Sequence, residues 1–289
     1  MRWIFRFIAQ QAAYFRAIGL SVLLLCLLLT DNQVGSLFGK QAPGAGSRAA
    51  RSSYYRVQCA NEKGEDTHLV TPLPESRYVY SEQYGWFDKS HFEAGNPGAV
   101  IADVKTAVAA DGGIISISQS VRDGFTGYTG NYLVSGDIAP GEVVGVALGI
   151  YMDWSIRFEA WQGRLPRSLV GPLTPFAIED LPTQYLGFYE NATHTELATI
   201  FACYLGQPET AEAPPHIWIT TEANNQANGP GHIHIEHLTN KTFSPLVYTD
   251  EGWQHINWPV DLRLYPILSD ESTWMFDSEQ TWYLNQAIP

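Results

Sequence analysis

The stretch "NPGAVIADVKTAVAADGGIISISQSV", residues 96–121, decides the fold class, because a helix signal in it runs directly into a strand signal. Asn96 is a good helix N-cap, and Pro97 fits the first turn of a helix. An apolar stripe with helical spacing follows and ends near Gly112–Gly113; it comprises Val100, Ile101, Val104, Ala107 and Val108. Residues 113–121 then alternate between apolar and polar, which is typical of a strand.

The sequence on both sides of this stretch predicts an α+β fold. "YYRVQCA" (54–60) and "RYVYSE" (77–82) are rich in aromatic and β-branched residues and predict strands. Three helices are predicted downstream, over about residues 142–162, 175–190 and 194–205. From about residue 214 the pattern returns to strands. A helical middle between strand-rich ends predicts one globular α+β domain over residues 54–289.

The N-terminal part of the chain predicts export. Three arginines (Arg2, Arg6 and Arg16) precede residues 17–30, which are uncharged and mainly apolar. This run fits the core of a signal peptide better than the roughly 20 residues of a membrane-spanning helix. Residues 1–36 are therefore interpreted as a signal peptide, with an uncleaved membrane anchor as the alternative. Residues 37–53 are small, polar and basic, and we expect a flexible linker there.

The charge balance limits the expected partners. The chain has 17 Lys and Arg and 30 Asp and Glu, and six of these bases and one acid lie in residues 1–51. The rest of the chain therefore carries 11 bases and 29 acids, a formal charge of −18. Such a body repels phosphate backbones and anionic headgroups, so we expect no nucleic acid and no membrane contact beyond an uncleaved N-terminal segment. The expected location is the outer face of the cytoplasmic membrane, the periplasm or the outside of the cell.

Export also changes the interpretation of Cys59 and Cys203. An oxidising compartment permits a disulfide between them. Cys203, however, lies in the apolar stretch "TIFACYLG" (199–206), where a buried free thiol is equally natural. The sequence leaves both alternatives open.

"GHIHIEH" (231–237) is the first candidate site, because it places three histidines and a glutamate on a predicted strand. His232, His234 and Glu236 share one face of that strand, and a hairpin with the preceding strand would add His216. These are ligand types for zinc or another divalent metal. The sequence favours the alternative, a polar strand face that is exposed to solvent.

"YGWFDKSHFEAGNPG" (84–98) is the second candidate site. Asp88, His91 and Glu93 lie just before the helix that Asn96 caps. A histidine beside a carboxylate can act as a general base or as a metal ligand. Alternatively, Glu93 stabilises the helix N-terminus and His91 is an ordinary turn residue.

Three acids farther along the chain complete the candidate set. Glu179 and Asp180 are adjacent and can share a proton or bind a cation, although the sequence favours helix capping for them. Glu159 lies at the flank of the apolar face of the long predicted helix and can point into a cleft. On the same helix, Asp153 and Arg157 are predicted to form a pair that faces solvent.

Four segments also carry a resemblance to a known family. They are "YVYSEQYGWFDKSHFEAG" (78–95), the long predicted helix that ends at Trp161, "TPFAIEDLPTQYLG" (174–187) and "TELATIFACYLGQPET" (195–210). In this order, over about residues 80–260, the chain resembles a family of exported bacterial proteins known as a domain of unknown function. The most specific matches are Asp88 with His91, and Phe176 with Glu179–Asp180–Leu181.

The resemblance implies an architecture rather than a reaction. Members of the family often carry a cysteine just before the first segment, where this chain has Glu82. They also often carry a His-Glu pair on the long helix, where this chain has Ile156 and Arg157 if Trp161 marks the register. Both departures weaken a thiol-based or metal-based mechanism.

Two functions from different classes follow from the sequence. A cell-envelope hydrolase, metal-dependent in one form, would gather its acids around His91 in one cleft; the set is Asp88, His91, Glu93, Glu159, Glu179 and Asp180. A non-catalytic binding or structural module would use the same residues as caps and turn anchors, and the sequence favours this second function. A separation above about 8 Å between His91 and every one of these carboxylates would exclude the hydrolase in this form.

Overall fold

The structure is a computed structural model, and it describes residues 54–61, 64–121, 124–164, 177, 179–212, 246–249, 252–255, 258–283 and 286–287. The predicted signal segment (1–36), the linker (37–53) and the hairpin with His216, His232, His234 and Glu236 lie outside these residues. No helix among the described residues has the length and apolar character needed to cross a membrane.

The fold is α+β, as predicted. The strands are β1 (Tyr55–Asn61), β2 (Gly64–Val70), β3 (Tyr78–Ser81), β4 (Gly85–Asp88), β5 (Gly112–Val121), β6 (Thr126–Ser135), β7 (Glu209–Ala211), β8 (Leu246–Thr249), β9 (Gly252–His255), β10 (Trp274–Tyr283) and β11 (Gln286–Ala287). The α-helices are α1 (Pro97–Ala109), α2 (Val143–Arg164), α3 (Asp180–Thr193) and α4 (Leu197–Ile200). Shorter helical pieces are 3-10 turns at Lys89–His91 and Val260–Leu262, and a π-helix at Phe201–Leu205.

All strand pairs in the described sheets are antiparallel. The largest sheet has the order β11–β10–β6–β5, and a smaller one has the order β4–β3–β7. β1 pairs with β2, and β8 pairs with β9, as separate two-stranded sheets. Antiparallel sheets beside helices from the middle of the chain are what the strand–helix–strand order predicts.

Helix α1 forms as the sequence predicts. The Asn96 side chain accepts a hydrogen bond from the Ala99 backbone N–H at 3.3 Å, and Pro97 occupies the first helical position. The buried stripe of α1 packs beneath β5, whose inward residues Ile115 and Ile117 are also buried. The helix and the strand predicted from residues 96–121 are both confirmed.

Helix α2 is the long predicted helix, and its aromatic residues pack into the core. Tyr151, Trp154, Phe158 and Trp161 are buried and follow one another in contact along the helix. Residues spaced by three or four positions share a helix face, so these rings form one continuous surface. They face the inner side of the large sheet, where Tyr128 contacts both Phe158 and Trp161.

The predicted Asp153–Arg157 pair of α2 forms, but it is half-buried against the sheet, which corrects the expected solvent-facing position. Arg157 Nε does donate to Asp153 Oδ2, at 2.6 Å, but the Tyr132 hydroxyl donates to the same oxygen at 2.9 Å. The Arg157 guanidinium also lies 3.6 Å from the centre of the Phe276 ring. The pair therefore closes the interface between α2 and the sheet, because β6 and β10 cover this side of the helix as well.

Cys59 and Cys203 form a disulfide, with their Cα atoms 5.4 Å apart. This resolves the two alternatives that the sequence leaves open. The bridge joins β1 to the π-helix, and the Tyr55 hydroxyl reinforces the junction through a 2.7 Å hydrogen bond with the Thr199 hydroxyl. The β1–β2 hairpin is thereby fastened to the helical layer.

Gly187 lets α3 approach the chain that follows β4. A Cβ atom on residue 187 would lie 1.8 Å from the Phe92 carbonyl oxygen, a distance that no side chain tolerates. The helix therefore rests directly on the backbone at Phe92, next to the 3-10 turn that carries His91. This contact holds the middle of α3 against the segment that follows the turn.

We expect Gly187→Ala to lower the free energy of unfolding by about 1–3 kcal/mol, because the new methyl group must push α3 away from Phe92. Gly141→Ala is the matched control, since a Cβ at Gly141 meets nothing within 4 Å. Urea unfolding of both variants measures the difference. Equal stabilities would contradict the close approach of α3.

We expect the double variant Cys59→Ser/Cys203→Ser to have a free energy of unfolding about 2–5 kcal/mol lower than that of the wild type. The reason is that the bridge closes a loop with a sequence separation of 144. Urea unfolding with and without reductant provides the measurement. Reductant should bring the wild type down to the level of the variant and leave the variant unchanged. A reductant effect on the variant would mean that another feature is responsible.

Candidate functional site

Three parts of the chain meet around His91. Strand β4 ends at Asp88, the 3-10 turn ends at His91, and α3 begins at Asp180. The Asp88 side chain caps this turn, because its Oδ1 accepts hydrogen bonds from the Ser90 backbone N–H at 2.9 Å and from the Ser90 hydroxyl at 2.7 Å. The tight turn returns His91 to Asp88, with 4.0 Å between His91 Nε2 and Asp88 Oδ2.

His91 also contacts the first residue of α3. Its Nδ1 lies 2.7 Å from Asp180 Oδ1, an ion-pair distance without the alignment of a hydrogen bond. This separation is well inside the limit of about 8 Å at which a histidine and a carboxylate stop working together. The Asp180 side chain is 2% exposed and that of His91 is 25% exposed, so His91 connects the buried acid with solvent.

Four acidic residues are buried in this region; they are Asp88, Glu159, Glu179 and Asp180. Isolated charged carboxylates in a protein interior are costly, so such groups are paired, hydrogen-bonded or protonated. With His91, these four residues are referred to below as the acid cluster. Five of the six sequence-predicted residues belong to it.

Asp88 is the charged member of the acid cluster. Arg77 Nε donates to Asp88 Oδ2 at 2.9 Å, and Arg77 Nη2 donates to the same oxygen. Burial on its own raises the pKa of Asp88, but the hydrogen bonds from Arg77, together with the charge of His91, lower this pKa below its usual range. The Asp88 backbone is fixed as well, because its N–H donates to Thr183 Oγ1 at 3.1 Å.

The pKa values of Asp180 and Glu179 are shifted in the opposite direction to that of Asp88. Burial raises the pKa of Asp180 well above its usual range, and the neighbouring charge of Glu179 raises it further. Burial also raises the pKa of Glu179, against weaker opposing effects of its backbone hydrogen bond and of His91. One acid cluster thus contains a carboxyl with a lowered pKa and two with raised pKa values.

Glu159 extends the acid cluster into the core. Gln184 Nε2 donates to Glu159 Oε1 at 3.2 Å, and Glu159 also hydrogen-bonds the Asp180 carboxyl. This hydrogen bond lowers the pKa of Asp180, against the larger effect of burial. The position of Glu159 at the flank of α2 agrees with the predicted cleft-facing orientation.

Glu93 does not belong to the acid cluster, which corrects the sequence prediction. It is exposed, and no hydrogen bond or ion pair joins it to the members of the acid cluster in the described part of the chain. Its neighbours Phe92 and Ala94 are both buried. Packing of these two residues leaves the intervening side chain on the surface.

Asp180 serves both as a helix-terminal group and as a site residue. Its Oδ2 accepts a hydrogen bond from the Ala177 backbone N–H at 2.7 Å, and this bond stabilises the turn that leads into α3. Ala177 precedes the N-cap residue Glu179, which itself makes no side-chain capping hydrogen bond, so the predicted helix capping by these two acids is wrong. The other oxygen of Asp180 faces His91.

Arg77 and Gln184 are site residues that the sequence analysis missed. The antiparallel pairing of β3 with β4 sets Tyr78 opposite Asp88, which brings the adjacent Arg77 beside the same carboxylate. Gln184 lies four positions after Asp180 on α3, so both belong to one helix face. Counting along the predicted helix points to Gln184, whereas Arg77 requires the β3–β4 pairing, and the sequence does not predict β4 as a strand.

The sequence suggested a metal ion at two places, beside His91 and on the hairpin of His232, and the structure bears only on the first. No group of three or more His, Cys, Asp or Glu side chains in the described residues has the geometry to hold a metal ion. His216, His232, His234 and Glu236 lie outside those residues, so a zinc site on the hairpin stays a prediction.

Comparisons with protein-family models, with curated proteins and with solved structures found no match to this chain. The resemblance to the exported bacterial family therefore stays an expectation. Functional inference for this protein depends on the geometry of the acid cluster.

We expect Asp180→Asn to stabilise the protein at pH 8 and to have little effect below about pH 3. Well below the ordinary aspartate pKa of 3.8, the folded and unfolded states both keep the Asp180 proton; as the pH rises, the unfolded chain ionises first and folding becomes less favourable. The gain should reach about 1.4 kcal/mol for each unit of pKa shift that is removed. Urea unfolding across this pH range measures it.

Asp88→Asn is the matched control, and its expected effect has the opposite sign. The lowered pKa of Asp88 stabilises the fold above the ordinary carboxyl pKa, and this stability is lost as the pH falls through the lowered value. The variant should therefore be less stable than the wild type at pH 7 and approach it in acid. If both substitutions changed the free energy of unfolding in the same direction at neutral pH, the assignment of lowered and raised pKa values to these two carboxyls would be contradicted.

Proposed function

We propose that this protein is an exported cell-envelope hydrolase that uses His91 and the acid cluster for general acid–base catalysis. The observation that carries the proposal is the 2.7 Å separation of His91 Nδ1 and Asp180 Oδ1 beside three further buried acids. Paired titratable groups whose surroundings push their pKa values apart are the usual sign of assigned acid and base roles. Asp88 and Asp180 form such a pair here.

His91 is the proposed base. Its Nδ1 atom is buried against Asp180, which leaves Nε2 as the nitrogen that can meet a water molecule. In the proposed reaction, Nε2 removes a proton from water as the water oxygen bonds to the electrophilic carbon of the substrate. The bond from that carbon to the leaving group then breaks, and the leaving group takes the proton from the imidazolium.

The carboxyls around His91 have separate proposed roles. Asp180 lies against Nδ1 and orients the imidazole, so that Nε2 is the nitrogen that takes and returns the proton. Asp88, kept ionised by Arg77, stabilises the imidazolium electrostatically from the Nε2 side at 4.0 Å. Glu159 holds Asp180 in place through a hydrogen bond. Each role follows from a contact or a charge of the named residue.

A non-catalytic envelope module is the second candidate, and the departures from the pattern of the resembled family favour it. Glu82 replaces the cysteine of the family, and Arg157, in the place of the His-Glu pair, is occupied by Asp153 and the Phe276 ring. A purely structural role explains the acid cluster less well, because buried acids with raised pKa values oppose folding rather than support it. The hydrolase is therefore the preferred proposal.

We expect His91→Gln to lower the rate of hydrolysis by about 10²–10⁴-fold, because it removes the general base. The full chain would be assayed against aryl esters, aryl glycosides and peptide anilides, so that the type of bond is determined together with the effect. His68→Gln on β2 is the matched control and should retain activity. Asp180→Asn should lower the rate less than His91→Gln, since it leaves the base in place.

Two results would contradict the hydrolase. One is that the folded wild type cleaves none of the three substrate types. The other is that His91→Gln cleaves them as fast as the wild type does. Circular dichroism of each variant separates loss of the base from loss of the fold. The first result would leave the non-catalytic module as the better proposal.

A further inference from the structure

Strand β5 forms one edge of the largest described sheet. In the order β11–β10–β6–β5, it pairs with β6 on one side only. The pairing covers all ten residues from Gly112 to Val121 without a register shift, so the strand is long and regular. Its other side presents a row of backbone N–H and C=O groups for which the described residues contain no partner strand.

This edge lacks the usual protection against pairing with another strand. Edge strands of soluble proteins are normally shortened, bent by a bulge or supplied with lysine or proline. The β5 sequence "GGIISISQSV" contains no charged residue and no proline, although the whole chain has a formal charge of −13. An edge of this composition is suited to extension by an added strand.

The outer face of the sheet continues this surface. Ile114 is 61% exposed and is paired in register with Leu133 on β6, which is itself paired with Met275 on β10. Leu133 and Met275 are 43% and 42% exposed, so an apolar row runs across three strands and reaches the β5 edge. The remaining outward residues of β5 are serines; they are Ser116, Ser118 and Ser120.

We propose that β5 pairs antiparallel with β5 of a second copy of this chain, across a two-fold axis perpendicular to the sheet. Two bodies that are both strongly acidic repel each other unless they meet through a neutral surface, and β5 is neutral along its whole length. In an antiparallel pair that keeps both outer faces on one side, serines stand beside neutral residues of the partner, and no like charges are opposed.

Helix α1 adds a second layer to the proposed contact. It packs beneath β5, and it exposes mainly small or uncharged side chains together with one acid and one base; they are Ala102, Asp103, Lys105, Thr106 and Ala109. Beside the same helix of the second copy, this composition allows close packing and opposite-charge pairs. A two-fold contact of this kind closes on itself, because each edge covers the other.

The test uses two charged double variants of the full chain, in mild detergent because of the apolar N-terminal run. Multi-angle light scattering should show a dimer for the wild type. The variants Ser116→Asp/Ser118→Asp and Ser116→Lys/Ser118→Lys should each dimerise about tenfold more weakly or worse, because like charges then oppose one another across the axis. An equimolar mixture of the two variants should recover the dimer. In the mixed dimer, the aspartates of one β5 strand lie beside the lysines of the other whenever the two outer faces are on the same side.

Gln280→Asp and Gln280→Lys are the matched controls. Gln280 is exposed on the same sheet but on β10, away from the β5 edge, so both variants should dimerise as the wild type does. A monomeric wild type would overturn the proposal, as would charged β5 variants that dimerise normally. Failure of the mixture to recover the dimer would also overturn it, because recovery requires β5 to face β5. None of these outcomes depends on whether the protein is a hydrolase.

Discussion

Gly187 lets two stretches of backbone come closer than any residue with a Cβ atom would allow, and the acid cluster depends on this contact. The Phe92 carbonyl occupies the space that a side chain would need. Helix α3 is thereby seated on the segment that immediately follows His91, and Asp180 at the start of the helix comes within 2.7 Å of the imidazole. Together with the hydrogen bond from the Asp88 N–H to Thr183 Oγ1, this close approach keeps strand β4, its 3-10 turn and α3 in one site.

Burial of the acids opposes folding, and specific neighbours offset the cost. Arg77 neutralises Asp88 through two donors, and a hydrogen bond with Glu159 lowers the raised pKa of Asp180. The rest of the cost is carried by the aromatic core around α2, where large rings such as Trp154 and Tyr151 are fully buried. The protein therefore maintains an electrostatically unfavourable arrangement within a well-packed interior.

Local signals in the sequence predicted local structure well. The cap at Asn96 and the apolar stripe of α1 act over a few residues, and so does the helical spacing that directed Glu159 inward. Information from across the fold was needed elsewhere. Arg77 reaches Asp88 only through the β3–β4 register, and the Asp153–Arg157 pair is covered by strands far away in the sequence. The choice between a disulfide and a free thiol at Cys203 likewise depended on where β1 packs, which no pattern around Cys203 encodes.

The Cys59–Cys203 bridge has a further consequence for a chain that meets proteases. Arg77, His91 and Asp180, like the other members of the site, lie between these two cysteines in the sequence, so they belong to one covalent ring. A single cut of the main chain inside that ring opens it without releasing a fragment, because the two new ends remain linked through sulfur. The parts of the site would stay attached to one another after such a nick, and the packed core could hold them in register.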